Sequence, residues 1–317
     1  MAAPTHARSE VPGPRGRRDP SALLSGGDRR RVPRPSVGVG PFLLASLAAV
    51  AALLCTYLFF VRTTTGQYID ESALVEATEL YGAAGKASLR FLDFLPALSV
   101  ALALGALGYA ALARRRWAAS AVALAAALCA NLATQLLKND ILTRPYRGIE
   151  TYMENSLPSG HTTLAASAAA AVFLVASPRW RPLVAFAGGT YAVATGVSTL
   201  VNQWHRPADV VSAFLVVAVF MAPAAWLVLR TGMVWNEWDG FGRHVGSSRL
   251  WLALPTAAGL AAAGVAVVAL VRIAPLAGRE VSTTNYFWAG LAFIVISGYL
   301  VAVGASWLMA HASRPRR

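Results

Sequence analysis

The sequence predicts an all-helical bundle of about eight transmembrane helices, and three observations predict it. Only 14% of the residues are charged and 56% are apolar, whereas an average soluble domain is about 25% charged. Ala, Gly, Leu and Val gather into blocks of roughly twenty residues, long enough to cross a bilayer as helices. Those blocks lack the polar stripe that a soluble helix turns toward water.

The elements follow in chain order. Residues 1–36, rich in Pro, Gly, Ser and Arg and without apolar periodicity, are expected to be a disordered basic tail. Apolar spans are expected near 41–61, 94–113, 117–137, 161–178, 182–203, 209–229, 250–271 and 286–308. The first is longer than the apolar region of a signal peptide and no small-residue cleavage site clearly follows it, so it is read as a retained span. The organisation is then the tail, a membrane core over 37–230, a loop over 231–249, and two further helices with a short basic tail over 250–317.

Arginine placement sets the orientation. The tail carries Arg8, Arg15, Arg17, Arg18, Arg29, Arg30, Arg31 and Arg34. Counted through the spans, Arg114–Arg116, Arg179, Arg181, Arg230, Arg243, Arg249, Arg314, Arg316 and Arg317 fall on the same side. The positive-inside rule makes that side cytoplasmic, with both termini inside, as an even number of spans requires. Trp117, Trp180, Trp204, Trp251, Trp288 and Trp307 fall near span ends, where an aromatic belt belongs. The expected location is the plasma membrane. The net charge of +13 is explained by this pattern, which argues against nucleic acid as a partner. Cys55 and Cys129 both fall inside apolar blocks, where they read as small packing residues rather than a disulfide or metal ligands.

The outward loops are 62–93, 138–160, 204–208 and 272–285. The first contains Asp70-Glu71-Ser72-Ala73-Leu74-Val75-Glu76, read either as a solvated linker or as the start of a short interfacial helix capped by Ser72. His6, His244 and His311 lie in tails or a cytoplasmic loop and read as solvated side chains. His161 and His205 each open an apolar helix on the outward side, where an ionisable group is a functional candidate.

The neighbours of these two histidines point to phosphate chemistry. His161 follows Leu157-Pro158-Ser159-Gly160, a tight turn entering a helix. A helix start offers unpaired N–H groups and a positive dipole end to an anion, Gly160 permits close backbone approach, and Ser159 adds a hydroxyl. His205 lies in Trp204-His205-Arg206-Pro207-Ala208-Asp209. Pro207 suits a first helical turn, and Asp209, four residues on, can hold one ring nitrogen and leave the other free to attack. Lys138 and Arg144, in Lys138-Asn139-Asp140-Ile141-Leu142-Thr143-Arg144-Pro145, place two cations on the same side. Arg can grip a phosphate with two donors; alone, the pair also reads as a snorkelling Lys and a loop Arg.

Together these elements resemble the type 2 phosphatidic acid phosphatase superfamily, which includes the vanadate haloperoxidases, over about residues 90–230. Its pattern is Lys-x6-Arg-Pro, Pro-Ser-Gly-His, then Ser-Arg-x5-His-x3-Asp. The resemblance implies a six-helix core in which His205 is a nucleophile forming a phosphohistidine and Asp209 orients it. It implies that His161 is the general acid and that Lys138, Arg144, Ser159 and the Gly160 amide hold the phosphoryl oxygens, with no metal or cofactor.

Two departures stand out. Only five residues separate Lys138 from Arg144, and Thr199 follows Ser198 where the family has Arg. Arg147 or Arg206 is a candidate replacement for that cation. The expected activity is hydrolysis of a lipid phosphate or diphosphate (polyprenyl diphosphate, phosphatidic acid or phosphatidylglycerol phosphate) at the extracytoplasmic face, with a membrane lipid as substrate. The alternatives are a phosphotransferase using the same histidine and, given Thr199, a non-catalytic membrane relative. The sequence leaves the oligomeric state open.

Overall fold

In the computed structural model, which describes residues 38–150, 154–232, 235–238, 240–276 and 284–313, nine α-helices follow one another with no strand among the described residues. They are α1 (Gly40–Thr56), α2 (Thr64–Glu76), α3 (Thr78–Leu112), α4 (Trp117–Leu136), α5 (Gly160–Val175), α6 (Arg181–Val201), α7 (Pro207–Thr231), α8 (Leu250–Ile273) and α9 (Asn285–Ala312). The tail expected to be disordered, 1–36, lies outside the described residues, as do Arg314, Arg316 and Arg317.

Among the described residues, seven helices are long and apolar enough to cross a membrane: α1, α3, α4, α6, α7, α8 and α9. The remaining expected span is α5, apolar but only 16 residues long. At 1.5 Å per residue it reaches about 24 Å, short of the roughly 30 Å hydrocarbon layer. Its neighbours compensate by enclosing it: α3, α4, α6 and α7 all pack on it, and ten of its residues are buried. Around this centre α1 lies on α7, α9 lies on α6 and α7, and α8 packs chiefly on α9. Glycines set the closest crossings. A Cβ at Gly196 would stand 2.3 Å from Val210 Cγ1, and one at Gly298 would stand 2.4 Å from Val193 Cγ2.

Local chemistry starts the helices where the turns require it. Thr63 caps α2 by accepting from Gly66 N at 3.0 Å, so the cap is Thr63 and Ser72 lies inside the helix. The stretch expected to be an outward loop, 62–93, is instead mostly helical, forming α2 and the first turns of α3. Ser159 caps α5, Pro207 begins α7, and α4 continues into a π-helical turn, Leu137–Ile141.

The two ends of the bundle differ in chemistry. One end gathers Arg114–Arg116, Arg179, Arg181, Arg230 and Arg249, which flank the ends of α3, α5, α6, α7 and α8. Arg116 and Arg181 are buried there rather than lying on a surface. Arg116 Nη1 donates to Val175 O at the end of α5 at 2.8 Å, and the Arg116 and Arg181 guanidiniums lie 3.9 and 5.5 Å from the Trp235 ring centre. A helix C-terminus and an indole face are both favourable to a cation. The opposite end carries α2, the 142–159 loop and the starts of α5, α7 and α9, and every candidate site residue lies there.

Candidate active site

His205 is delivered by the short turn between α6 and α7. Thr199 is fully buried, and its carbonyl accepts from Trp204 N at 2.9 Å and His205 N at 3.3 Å. Its hydroxyl donates to Gly196 O at 2.8 Å. Thr199 thus shapes the turn and presents no charge. Gln203 takes a left-handed backbone, φ 58°, uncommon for a non-glycine residue. Its side-chain amide ties the turn to α2 and α3, donating to Thr78 Oγ1 at 2.6 Å and Leu74 O at 3.3 Å.

The His205 ring is buried, with Nδ1 3.2 Å from Asp209 Oδ2. An ionised Asp209 places the proton on Nδ1 and leaves the lone pair on Nε2. The same Asp209 oxygen accepts from Ser156 Oγ at 2.7 Å and from Arg206 N at 3.0 Å, the second bond closing a capping box at the start of α7. One carboxylate therefore caps a helix and orients an imidazole. The Asp209 carbonyl accepts from Ser159 N at 3.0 Å, fastening the start of α5 to that of α7.

His161 is half-buried in the first turn of α5, its ring centre 5.3 Å from that of Trp204. Its titratable neighbours are His205 and Lys138. Lys138 sits half-buried in the π-helical turn after α4, and its carbonyl accepts from Asn155 Nδ2 at 3.1 Å. Outside Gly160 the space is open: a Cβ there would meet only Gln135 Nε2, at 3.6 Å. Helix geometry leaves the first amides of α5 without intrahelical acceptors. The Ser159 hydroxyl is engaged in its own cap, donating to Thr162 Oγ1 at 3.0 Å.

Arg144 is buried beside Asp70, Glu71, Asp209 and Arg206. Its Nη2 is 4.0 Å from Glu71 Oε2, and among the described residues neither Nε nor Nη2 has a hydrogen-bond partner. A buried guanidinium with free donors calls for an acceptor from outside the chain. Burial, with Arg206 second, draws Arg144 below its ordinary value. Burial would do the same to Arg206, but the Asp209 and Glu71 carboxylates outweigh it and hold Arg206 above its ordinary value. Arg206 Nε donates to Glu71 Oε2 at 2.6 Å and Nη1 to Ser156 Oγ at 2.8 Å. Arg147, the other candidate replacement cation, is exposed in the loop. Among the described residues no group of three or more His, Cys, Asp or Glu is placed to hold a metal ion.

Three site residues escaped the sequence reading. Asp70 is 1% exposed, and its Oδ1 accepts from Ala208 N at 2.9 Å. Burial first, then the charge of Asp209, pushes its carboxyl up to about 8. Glu71 pairs with Arg206, and Ser156 joins Arg206 to Asp209. The signal available was an acidic pair in an outward segment of a chain poor in acids; Ser156 adjoins the Pro158–His161 motif.

A polytopic helical bundle with two histidines and an oriented carboxylate at one end defines the class as a membrane protein with a candidate phosphoryl-transfer site. Residues 116–233, the segment that holds α4–α7, match the PAP2 superfamily. The match supports phosphatase activity on phosphate esters and a hydrolase assignment. No curated protein and no solved structure matches the chain significantly.

Proposed function

We propose that the protein hydrolyses a lipid phosphate or diphosphate through a phosphohistidine on His205, at the extracytoplasmic face of the membrane. The observation that carries this reading is the buried His205–Asp209 pair at 3.2 Å, set at an end of the bundle where α5 begins and Arg144 keeps unpartnered donors. His205 Nε2 attacks phosphorus, an N–P bond forms, and the P–O bond to the lipid alcohol or lipid phosphate breaks. His161 gives its proton to the departing oxygen. Water then attacks phosphorus and yields a proton to His161, the N–P bond breaks, and inorganic phosphate leaves.

Lys138, Arg144 and the Gly160 amide hold the phosphoryl oxygens and stabilise the charge that builds on them. Ser159 joins them by exchanging Thr162 for a phosphoryl oxygen. The apolar helices around the site let a hydrocarbon tail remain in the bilayer while the headgroup enters. The arginine-rich loops at the opposite end favour the cytoplasm for that end and the outer face for the site.

The test is phosphate release by purified protein across phosphatidic acid, phosphatidylglycerol phosphate and polyprenyl diphosphate, with and without EDTA. Release that survives EDTA supports the metal-independent route; release abolished by EDTA and restored by a divalent cation rejects it.

A further inference from the structure

Behind His205 runs a line of polar side chains that reaches beyond the family-matched segment. Glu71 Oε2 accepts from Arg206 Nε at 2.6 Å, and Arg206 Nη1 donates to Ser156 Oγ at 2.8 Å. Ser156 Oγ donates to Asp209 Oδ2 at 2.7 Å, which lies 3.2 Å from His205 Nδ1. The members nearest the nucleophile are buried, with Arg206 2% exposed, Asp209 1% and His205 7%, while Ser156 and Glu71 are partly buried. Glu71 belongs to α2, outside residues 116–233.

We propose that Glu71 and Arg206 form a charge pair that positions and tunes His205 through Ser156 and Asp209, so that Arg206 serves behind the nucleophile rather than on the phosphate. This rests on the reading of His205 as nucleophile. Two donors of Arg206 are already engaged with Glu71 and Ser156. A guanidinium this buried needs a carboxylate nearby, because an uncompensated charge in a dry site is strongly unfavourable. Asp209 is in turn held by donors whose direction Arg206 fixes, since Ser156 receives from Arg206 and gives to Asp209. The Thr199 position carries no charge and bonds its own helix, whereas Arg206 is joined to the nucleophile's carboxylate through Ser156.

The pair has a signature that a merely structural role lacks. Removing the Arg206 cation leaves the carboxylates around His205 less compensated, which favours the imidazolium. Removing the Glu71 anion does the reverse. The other titratable groups around the His205–Asp209 pair are Asp70 on α2, Arg144 in the loop after α4 and His161 on α5, with Lys138 beside His161. All of them stay in place in both variants.

The experiment compares Glu71→Gln, Arg206→Met and the double variant with wild type in detergent micelles. His205 is titrated by NMR in protein labelled with ¹⁵N-histidine, and kcat and KM are measured for phosphate release from phosphatidic acid. The expected result is a downward shift of His205 in Glu71→Gln and an upward shift in Arg206→Met, each on the order of half a pH unit. The double variant returns close to wild type. In both single variants kcat falls about tenfold or more while KM stays within about twofold.

Shifts in the same direction, or no shift, overturn the proposal. So does an Arg206→Met variant with raised KM and unchanged kcat, which would place Arg206 on the phosphate. Arg206→Gln, which keeps a donor for Ser156, makes the same test where Arg206→Met does not fold. If wild-type protein releases no phosphate, the hydrolase reading fails, yet the two titration shifts still decide the charge pair.

Discussion

At the scale of single residues, the site divides into a reacting side and a supporting side. His161 neighbours His205 on one, with Lys138 beside His161, while Asp209, Ser156, Arg206, Glu71 and Asp70 stand behind it. Arg144, whose Nε and Nη2 have no hydrogen-bond partner among the described residues, is expected to contact the phosphoryl group. Arg144→Ala should lower kcat/KM by about 10²–10³-fold, with KM rising as kcat falls; steady-state kinetics with phosphatidic acid check this, and an unchanged kcat/KM would contradict it. Asp70 makes a pH prediction. Its carboxyl is raised to about 8 in the folded protein, from about 3.9 unfolded. Its contribution to stability is full below the unfolded value and is lost as pH rises through the folded one. The melting temperature of Asp70→Asn relative to wild type should therefore climb between about pH 4 and pH 8; a flat difference would remove Asp70 from this role. His161, His205 and Asp209 were legible in the sequence because their spacing is local to helix starts. Asp70 and Glu71 were not, because their partners Ala208 and Arg206 lie more than a hundred residues away and nothing local signals the pairing.

At the scale of elements, α2 is the piece that changes the picture. It is too short and too polar to be a span, and it joins separate parts of the outward end. Gln67 Nε2 donates to Pro145 O at 2.8 Å, Asp70 holds the start of α7, and Glu76 Oε2 accepts from Phe287 N at 2.8 Å at the start of α9. Glu76→Ala should remove that cap, cost about 1 kcal/mol and lower the thermal midpoint; an unaltered midpoint in detergent would show that α9 does not depend on it. The last two helices carry no chemical motif, but α9 reaches the site by packing. A Cβ at Gly290 would stand 2.5 Å from Pro207 Cγ and 3.0 Å from Ala73 Cβ, two residues from His205 in one direction and on α2 in the other. Gly290→Val should displace the start of α7 and reduce kcat by about tenfold or more in protein that still elutes as a folded species; full activity would mean that α9 can give way. Helix existence was readable from apolar block length. For 64–93 only a short helix at Asp70–Glu76 was readable, and that as one of two alternatives, because the apolar content is diluted by Asp70, Glu71, Glu76, Lys86 and Arg90 and the burial comes from tertiary contacts.

At the scale of the whole molecule, charge and chemistry lie at opposite ends of one bundle. The arginines that flank α3, α5, α6, α7 and α8 stand at one end, and His161, His205 and Arg144 stand at the other. This polarity was visible in the sequence, since the positive-inside rule needs only the order of spans and loops. Burial of Arg116 and Arg181 was not, since it depends on Trp235 folding back beneath the bundle. If the arginine-rich end is cytoplasmic, a cysteine at the exposed Arg147 should react with a membrane-impermeant maleimide applied to intact cells, and one at Arg179 should react only after permeabilisation; the reverse pattern would invert the orientation. The central claim is that His205 is a phosphoryl-accepting nucleophile. Its most direct test is a rapid-quench trap of ³²P-labelled phosphatidic acid and polyprenyl diphosphate on wild-type and His205→Ala protein. The account predicts an acid-labile, alkali-stable phosphoryl label on wild type that maps to His205 and is absent from the variant, together with loss of phosphate release. Phosphate release undiminished in His205→Ala, or a label on another residue, would contradict it.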